Sequence, residues 1–270
     1  MAHTFLALVH FDGSRFVGWQ RQREGRSIQA EFERVLERLA GQPVVAHAAG
    51  RTDAGVHALG LGVSFSLPRQ WEPAALRRAL NALLSPDCWT ESVTRMRPGF
   101  HARKSALARA YRYEVGTDQA SASPFRRPYE WALGRSLDLA SLRAAADTVL
   151  GEHDFQPFSV RGQEKAHWRC RISRSEWSER GEGRGLSYHV ESDRFLHHMV
   201  RMLVGTMVDI GLGRRPVADM SALLVRGDNL ETSPPAPPEG LYFVTATYPA
   251  ECYLAADPVR DEQSLAVPPA

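Results

Sequence analysis

The stretch Gly50-Arg51-Thr52-Asp53-Ala54-Gly55-Val56-His57 lies between two predicted strands and is the most informative segment of the chain. The strand before it, residues 44–48, is short, and the strand after it, residues 61–67, alternates apolar with small residues. Glycines at both ends permit unusual backbone angles, so the loop can present Asp53 at the floor of a cleft. The alternative is a plain turn in which Asp53 hydrogen-bonds its own backbone.

The segments on either side of this loop follow the order β-α-β-β-α-β. Residues 4–11 are apolar on both faces, which predicts a central strand, and residues 28–39 have helical apolar spacing after the N-cap Ser27. Residues 73–84 predict a second helix opened by a proline, and residues 89–97 predict a final strand. This order is typical of a split ferredoxin-like unit.

The second half of the chain repeats this order without any sequence repeat. In chain order it has strand 109–115, helix 139–150, strands 169–177 and 186–192, helices 195–210 and 217–225, and strand 241–248. We therefore predict an α+β protein of two ferredoxin-like (βαββαβ) halves whose sheets join into one mixed, mainly antiparallel sheet. The predicted boundaries are residues 1–105 and 106–250 for the halves, with a polar, acidic tail at residues 251–270.

The composition is that of an ordinary globular protein, with 270 residues, 43% of them hydrophobic and 24% charged. It excludes disordered, fibrous and disulfide-stapled classes. No signal peptide and no apolar span of about 18 residues is visible, so we expect a cytoplasmic protein without a membrane segment. Cys88, Cys170 and Cys252 lie far apart without a CxxC pair, which favours reduced thiols and argues against a cysteine metal site.

Positive charge is concentrated although the net charge is only +2. Of the 33 basic residues, two are Lys and the other 31 are Arg, and residues 95–112 contain six basic residues and no carboxylate. Arginine matches phosphate geometry and stacks on bases, which favours nucleic-acid binding. The alternative is a general preference for Arg over Lys on solvated faces.

The predicted helix 195–210 is apolar at nearly every position and is expected to be buried. Arg201 interrupts it, and a buried guanidinium needs a carboxylate or carbonyl partner. No acid lies one turn away, so Asp53 is a candidate partner; the alternative is a side chain that reaches solvent. The adjacent His197 and His198 are expected to point to different helix faces and to make a poor metal site.

Two tyrosines mark the first strand of the second half. Tyr111 and Tyr113 share one strand face, with Arg112 on the other. They predict either core packing or a platform on which a base stacks. Competing catalytic motifs are missing from the sequence: there is no GxxxxGK[ST], GxSxG or HExxH.

Taken together, these stretches resemble the tRNA pseudouridine synthase A family. Residues 50–57 are similar to the family's signature loop, and the likeness continues in order through further segments. They are Phe11-Asp12-Gly13, Gly18-Trp19-Gln20-Arg21-Gln22, Phe100-His101-Ala102-Arg103, residues 109–113, residues 195–205 and Glu239-Gly240-Leu241-Tyr242. The resemblance runs from about Phe5 to Tyr248, and it departs from the family's pattern at residues 163–170 and in the tail.

The resemblance implies an isomerase that converts uridine to pseudouridine at positions 38, 39 and 40, in the anticodon stem-loop of tRNA, without cofactor or metal. It implies that Asp53 is the catalytic nucleophile, that Tyr111 packs on the flipped uracil and that Arg201 pairs with Asp53. Arg51 would help to hold the nucleotide out of the stem. A homodimer would bind the RNA across both subunits, with helices on one face of the sheet and the RNA cleft on the other.

Pseudouridine formation breaks the bond between base and sugar, turns the base and joins its C5 to the sugar. A carboxylate such as Asp53 can attack the base, attack the sugar or deprotonate the sugar, and all three remain open. Because the detached uracil must stay trapped, we expect an apolar pocket lined by Leu241 and Phe243. The alternatives are a non-catalytic RNA-binding protein on the same fold and an N-glycosidase that releases free uracil.

Overall fold

The computed structural model describes residues 2–160, 167–226, 228 and 230–254. Within these ranges there are ten strands and five α-helices. The strands are β1 (His3–Phe11), β2 (His47–Ala48), β3 (His57–Leu67), β4 (Cys88–Met96), β5 (Ala108–Gly116), β6 (Trp131–Ala132), β7 (Gly151–Asp154), β8 (Arg169–Arg180), β9 (Gly185–Ser192) and β10 (Leu241–Thr247). The helices are α1 (Ile28–Ala40), α2 (Pro73–Leu83), α3 (Leu139–Thr148), α4 (Met199–Gly211) and α5 (Asp219–Arg226).

All ten strands belong to one sheet. Its order is β4-β1-β3-β10-β5-β9-β8-β7, with β2 beside β3 and β6 beside β5. Neighbouring strands are antiparallel except for the short parallel pairs β3–β10 and β5–β6. The predicted α+β class with one mixed, mainly antiparallel sheet is thus confirmed, and β1 has a neighbour on each side, as its doubly apolar pattern predicts.

The first and second halves of the chain meet where β10 runs beside the start of β3. Tyr242 is opposite His57 and Phe243 is opposite Ala58 in this parallel pairing. Because the loop at residues 50–56 leads directly into β3, this junction brings the loop next to strands of the second half. The position of the candidate site therefore depends on a contact between distant parts of the sequence.

Helix α1 shows how local sequence produces the elements of the first half. Ser27 Oγ accepts a hydrogen bond from the Ala30 N–H, and Gly41 ends the helix in the left-handed region with φ 71°. The apolar face of the helix is buried, and the Phe32 ring lies 5.8 Å from that of Phe65 in β3. Burial of such a face against the sheet is the main stabilising contribution to a helix of this length.

Helices of the second half cover the sheet face that carries the predicted tyrosine platform. Trp177 Nε1 donates to Met207 Sδ of α4, and Trp177 pairs with Tyr188, which pairs with Tyr113. Tyr111 lies two residues from Tyr113 and therefore on the same face. The expectation of helices on one face and a cleft on the other does not hold here, because Tyr111 shares the face that α4 covers.

The boundary of α4 also differs from the prediction. The apolar pattern predicts a helix over residues 195–210, whereas α4 begins at Met199. His198, directly before it, has φ 64°, which is left-handed and cannot continue a right-handed helix. Similarly, the strand predicted at residues 44–48 is limited to His47–Ala48.

In the part of the chain that the structure describes, no helix combines the length and apolar character needed to cross a membrane. Of the predicted tail, residues 255–270 lie outside the described residues, as do residues 163–166 of the segment that departs from the family's pattern.

Candidate active site

A cavity of about 1320 Å³ opens between the two halves of the chain. Six of its lining side chains are basic: Arg51, Arg103, Lys104, Arg109, Arg194 and Arg201. Among the described residues that line it, Asp53 carries the single carboxylate. A basic wall around one acid suits an anionic ligand that presents a reactive group to the carboxylate.

The loop that carries Asp53 is braced by two segments from the start of the chain. The Trp19 N–H donates to the Thr52 carbonyl at 3.0 Å. A Cβ at Gly18 would lie 2.6 Å from that same oxygen, and a Cβ at Gly13 would lie 2.1 Å from the Val56 carbonyl oxygen. Only glycine allows so close an approach of two backbones. The backbone at Gly13 and Gly18 therefore packs directly against the loop.

His57, the last residue of the loop motif, has a structural role. Its Nδ1 accepts a hydrogen bond from the Gly13 N–H at 3.1 Å, and its Nε2 lies 3.0 Å from the Pro128 carbonyl oxygen. These partners require a neutral ring with the proton on Nε2. Burial lowers the pKa of His57 below its ordinary value, although the Asp12 carboxylate opposes the shift. The neutral ring therefore links the end of the loop to the backbone of Gly13 and of Pro128.

Arg201 lies beside Asp53, as expected for a buried guanidinium that needs a carboxylate partner. Its NH1 donates to Asp53 Oδ2 at 3.1 Å, and its Nε donates to the Ala236 carbonyl at 2.7 Å. The Ala236 N–H in turn donates to the Arg201 carbonyl at 2.9 Å. The connector before β10 thus fixes the guanidinium, and the alternative in which Arg201 only reaches solvent does not hold.

Two histidines complete the surroundings of the carboxylate. His197 Nε2 lies 3.5 Å from Asp53 Oδ1, and His198 Nε2 lies 3.2 Å from Oδ2. The expectation that these rings point to different helix faces is wrong, because both residues precede α4 and their ring centroids are 4.2 Å apart. Burial lowers the pKa of His198, and the neighbouring carboxylate acts in the opposite direction. A metal ion could be held by these three side chains.

Tyr111 lines the cavity and packs within a small aromatic cluster. Its ring packs edge-on against Phe195 at 5.0 Å and against Phe243 at 5.1 Å. A Cβ at Gly50 would lie 3.3 Å from the Tyr111 hydroxyl, so the absence of a side chain there leaves room for the ring. Burial raises the pKa of Tyr111 far above its ordinary value, so the hydroxyl is neutral.

The two remaining predicted residues lie in different surroundings. Arg51 is exposed and lines the cavity two residues before Asp53. Leu241 is 6% exposed, pairs with Tyr113 in the sheet and is not part of the cavity lining. The structure therefore brings Asp53, Tyr111, Arg201 and Arg51 to one cavity, whereas Leu241 is not among the residues that line it.

Arg109 shows a function that the charge pattern alone does not reveal. Its guanidinium donates to the carbonyls of Ala49, Ala106, Asp193 and Arg103. These carbonyls belong to three separate loops around the cavity. One member of the basic cluster at residues 95–112 thus holds the protein's own backbone, and only the structure separates it from those that face solvent.

Comparison with known proteins assigns a family to this geometry. A family model described as tRNA pseudouridine synthase matches residues 7–101 and 145–249. A protein of Myxococcus xanthus named tRNA pseudouridine synthase A is 39% identical over 240 residues, which cover 89% of this chain and 90% of that protein.

Two more relatives carry the same name. The protein of Methylobacterium nodulans is 38% identical over 250 residues (92% of this chain, 97% of the relative), and that of Aeromonas salmonicida is 38% identical over 262 residues (93% and 92%). The similarity therefore extends along most of each chain and is not limited to one motif. The chain belongs to the tRNA pseudouridine synthase family, and it is accordingly an isomerase.

Proposed function

We propose that this chain converts uridine to pseudouridine at positions 38, 39 and 40 of tRNA, in the anticodon stem-loop, with Asp53 as the catalytic nucleophile. The observation that carries the proposal is the 3.1 Å contact between Asp53 and Arg201 in a basic cavity. The tRNA substrate follows the names of the relatives, each of which aligns along most of its length.

Asp53 is suited to the role because it is held without being enclosed. Its side chain is 23% exposed, and Arg201 occupies Oδ2 while Oδ1 faces His197. A carboxylate paired in this way stays oriented toward the cavity and keeps one oxygen for a substrate. During the reaction the C1′–N1 bond breaks, the C1′–C5 bond forms, the C5 proton leaves and N1 takes up a proton, so the atoms balance without a co-reactant.

The target base has to leave the helical stack, at a cost of a few kcal/mol. We propose that Tyr111 receives it, since one aromatic face contributes about 1–3 kcal/mol per base. Arg51, on the exposed side of the loop, would hold the nucleotide out of the stem. Phe243 supports the Tyr111 ring from below, and a contact between the base and Leu241 would require the lining to move when RNA binds.

We propose further that the fold is a duplication with halves at residues 1–105 and 106–250. The strand order β4-β1-β3-β2 of the first half matches β10-β5-β9-β8 of the second. Each order belongs to a ferredoxin-like βαββαβ unit. The family model also matches one long stretch in each half.

A homodimer in the cytoplasm, with tRNA bridging both subunits, completes the proposal. Light scattering at micromolar protein tests the oligomeric state. A mass equal to that of one chain would contradict the dimer.

The decisive experiment follows tritium at uracil C5 of an unmodified tRNA. Isomerisation releases tritium to water without free base, an N-glycosidase releases free uracil, and a binding protein releases neither. Asp53→Asn should lower turnover by more than about a hundredfold, because a catalytic carboxylate contributes at least 10²-fold. If Asp53→Asn retains more than about a hundredth of the turnover of the unmodified enzyme, another residue is the nucleophile.

A matched control separates charge from chemistry in this assay. Asp209→Asn removes a carboxylate of α4 that pairs with Arg214 at 2.8 Å, away from the cavity. Its turnover should equal that of the unmodified enzyme. Circular dichroism and tRNA binding of Asp53→Asn should stay near those of the unmodified enzyme, since the loop is held by backbone contacts.

A further inference from the structure

Three metal-binding side chains converge in the cavity: Asp53, His197 and His198. Each offers one ligand atom, and these atoms all lie within 4.8 Å of one another. The proposed isomerisation uses the carboxylate but assigns no role to the two imidazoles. Imidazole and carboxylate together are the ligand types that Zn²⁺ and similar divalent transition metals prefer.

Two of the distances between these side chains are close to those between the ligands of a tetrahedral ion. Ligand atoms about 2.0–2.1 Å from Zn²⁺ lie roughly 3.3–3.4 Å from each other at the tetrahedral angle. His197 Nε2 is 3.5 Å from Asp53 Oδ1, and His198 Nε2 is 3.2 Å from Asp53 Oδ2. These two contacts involve different carboxylate oxygens, so coordination requires the carboxylate or the His198 ring to turn until one oxygen faces both imidazoles, with water as a fourth ligand.

An unusual backbone conformation holds the two imidazoles on the same side. Among the described residues, His198 is the single non-glycine with a positive φ, at 64°. In a continuous helix the side chains of His197 and His198 would diverge by about 100°. The left-handed residue turns both rings toward Asp53, and backbone strain of this kind clusters at ligand sites.

Arg201 limits the affinity of such a site without blocking it. Its guanidinium donates to Oδ2 of Asp53 and is fixed through Nε by the Ala236 carbonyl. Oδ1 keeps its lone pairs on the side of His197. Repulsion from the guanidinium weakens the binding of every cation, which leaves the site to ions that bind imidazole strongly.

We propose that Asp53, His197 and His198 form an inhibitory binding site for Zn²⁺ or a chemically similar divalent transition-metal ion. The inhibitory part rests on the proposed function, because an ion on Asp53 occupies the carboxylate that would attack the substrate. Mg²⁺, which prefers six oxygen ligands, does not fit this donor set. Free transition metal would then reversibly reduce turnover.

Binding is tested first, on the full chain without RNA. Metal-free protein is titrated with Zn²⁺ by calorimetry and with Co²⁺ by visible absorption, which reports tetrahedral coordination. We expect one equivalent of ion. His197→Gln, His198→Gln and Asp53→Asn should each raise the Kd at least about tenfold, with unchanged circular dichroism.

A second histidine pair in the same cavity provides the control. His47 and His101 stack with centroids 4.4 Å apart, and neither belongs to the three-residue cluster. His101→Gln should leave the Zn²⁺ affinity unchanged. Absence of stoichiometric binding, unchanged affinity in both His197→Gln and His198→Gln, or loss of binding in His101→Gln would overturn the site.

Inhibition is tested separately by tritium release in zinc-buffered solution. With tRNA well below its KM, half-maximal inhibition should occur at the free Zn²⁺ concentration that equals the calorimetric Kd. It should be reversed by a chelator and should not be produced by Mg²⁺ at the same concentration. Full turnover with the site saturated would overturn the inhibitory role. If metal-free enzyme releases no tritium at all, the proposed function fails, whereas the binding titrations still decide the site.

Discussion

Replacing Arg201 by methionine removes a charge and two hydrogen bonds from the site. Nε donates to the Ala236 carbonyl at 2.7 Å, and NH1 donates to Asp53 Oδ2 at 3.1 Å. Removing one partner of a fully buried ion pair costs about 3–5 kcal/mol. The two side chains here remain 14% and 23% exposed, so we expect a loss of about 2–3 kcal/mol in the free energy of unfolding.

A double-mutant cycle isolates the contact between the two residues. Asp53→Asn alone should cost about 1–2 kcal/mol, because it removes a charged hydrogen bond. In the double variant Arg201→Met with Asp53→Asn neither charge is left unpaired. Its loss should therefore be smaller than the summed single losses by about 1 kcal/mol or more, since the Ala236 bond is lost in both backgrounds and cancels.

The four proteins are compared by urea unfolding and by tritium release. Arg201→Met and the double variant should both be inactive. Losses that add within about 0.5 kcal/mol would show that the two side chains do not interact, and the reasoning would fail. Arg215→Met is the control: Arg215 also pairs with a carboxylate and a carbonyl, those of Asp219 and Glu231, and is 18% exposed. It should lose comparable stability with unchanged turnover of the folded enzyme.

Tyr111→Phe should keep the stacking on the target base, whereas Tyr111→Ala should lose about 1–3 kcal/mol of stacking free energy. Normal turnover in both variants would refute the stacking role. Loss of turnover in both variants with normal tRNA binding would assign a chemical role to the hydroxyl. Gly13→Ala would place a methyl group 2.1 Å from the Val56 carbonyl oxygen, and calorimetry should show a lower melting temperature, equivalent to about 1–3 kcal/mol; Gly181→Ala, with nothing within 4 Å, should melt like the unmodified protein. Folding lowers the pKa of His57, so as the pH falls the unfolded chain is protonated at this residue before the folded protein. The contribution of His57 to the free energy of unfolding is therefore fully present above about pH 6.5 and is lost as the pH falls. His57→Gln should flatten that dependence below about pH 6.5 in urea melts, and an unchanged slope would contradict the assignment.

Local patterns predict most elements because the forces that form them are local. The alternation of residues 61–67 and the cap at Ser27 correspond to β3 and α1 in the structure. The parallel pairing of β10 with β3 has no such signal, since it joins strands far apart in sequence and involves two residue pairs. Only the complete sheet shows that this junction places the loop of Asp53 beside the second half.

The residues of the site likewise divide into those that the sequence predicts and those that it does not. Arg201 was predictable, because a buried charge on an apolar helix requires a partner and few carboxylates qualify. The positions of His197 and His198 were not, since a hydrophobic run predicts a continuous helix and does not reveal the left-handed residue that ends it. The prediction for Leu241 came from the need for an apolar pocket around the detached uracil, whereas in the structure Leu241 pairs with Tyr113 and is not part of the cavity lining.

The carboxylate and guanidinium of the site are 148 positions apart in the chain. At a synthesis rate of about 5–20 residues per second, roughly 7–30 s separate the appearance of Asp53 from that of Arg201 on the ribosome. During this interval the contacts of the loop are limited to residues that are already synthesised, among them Gly13, Phe16 and Trp19. A chain that ends before Arg201 therefore contains the loop of Asp53 without the guanidinium that pairs with its carboxylate.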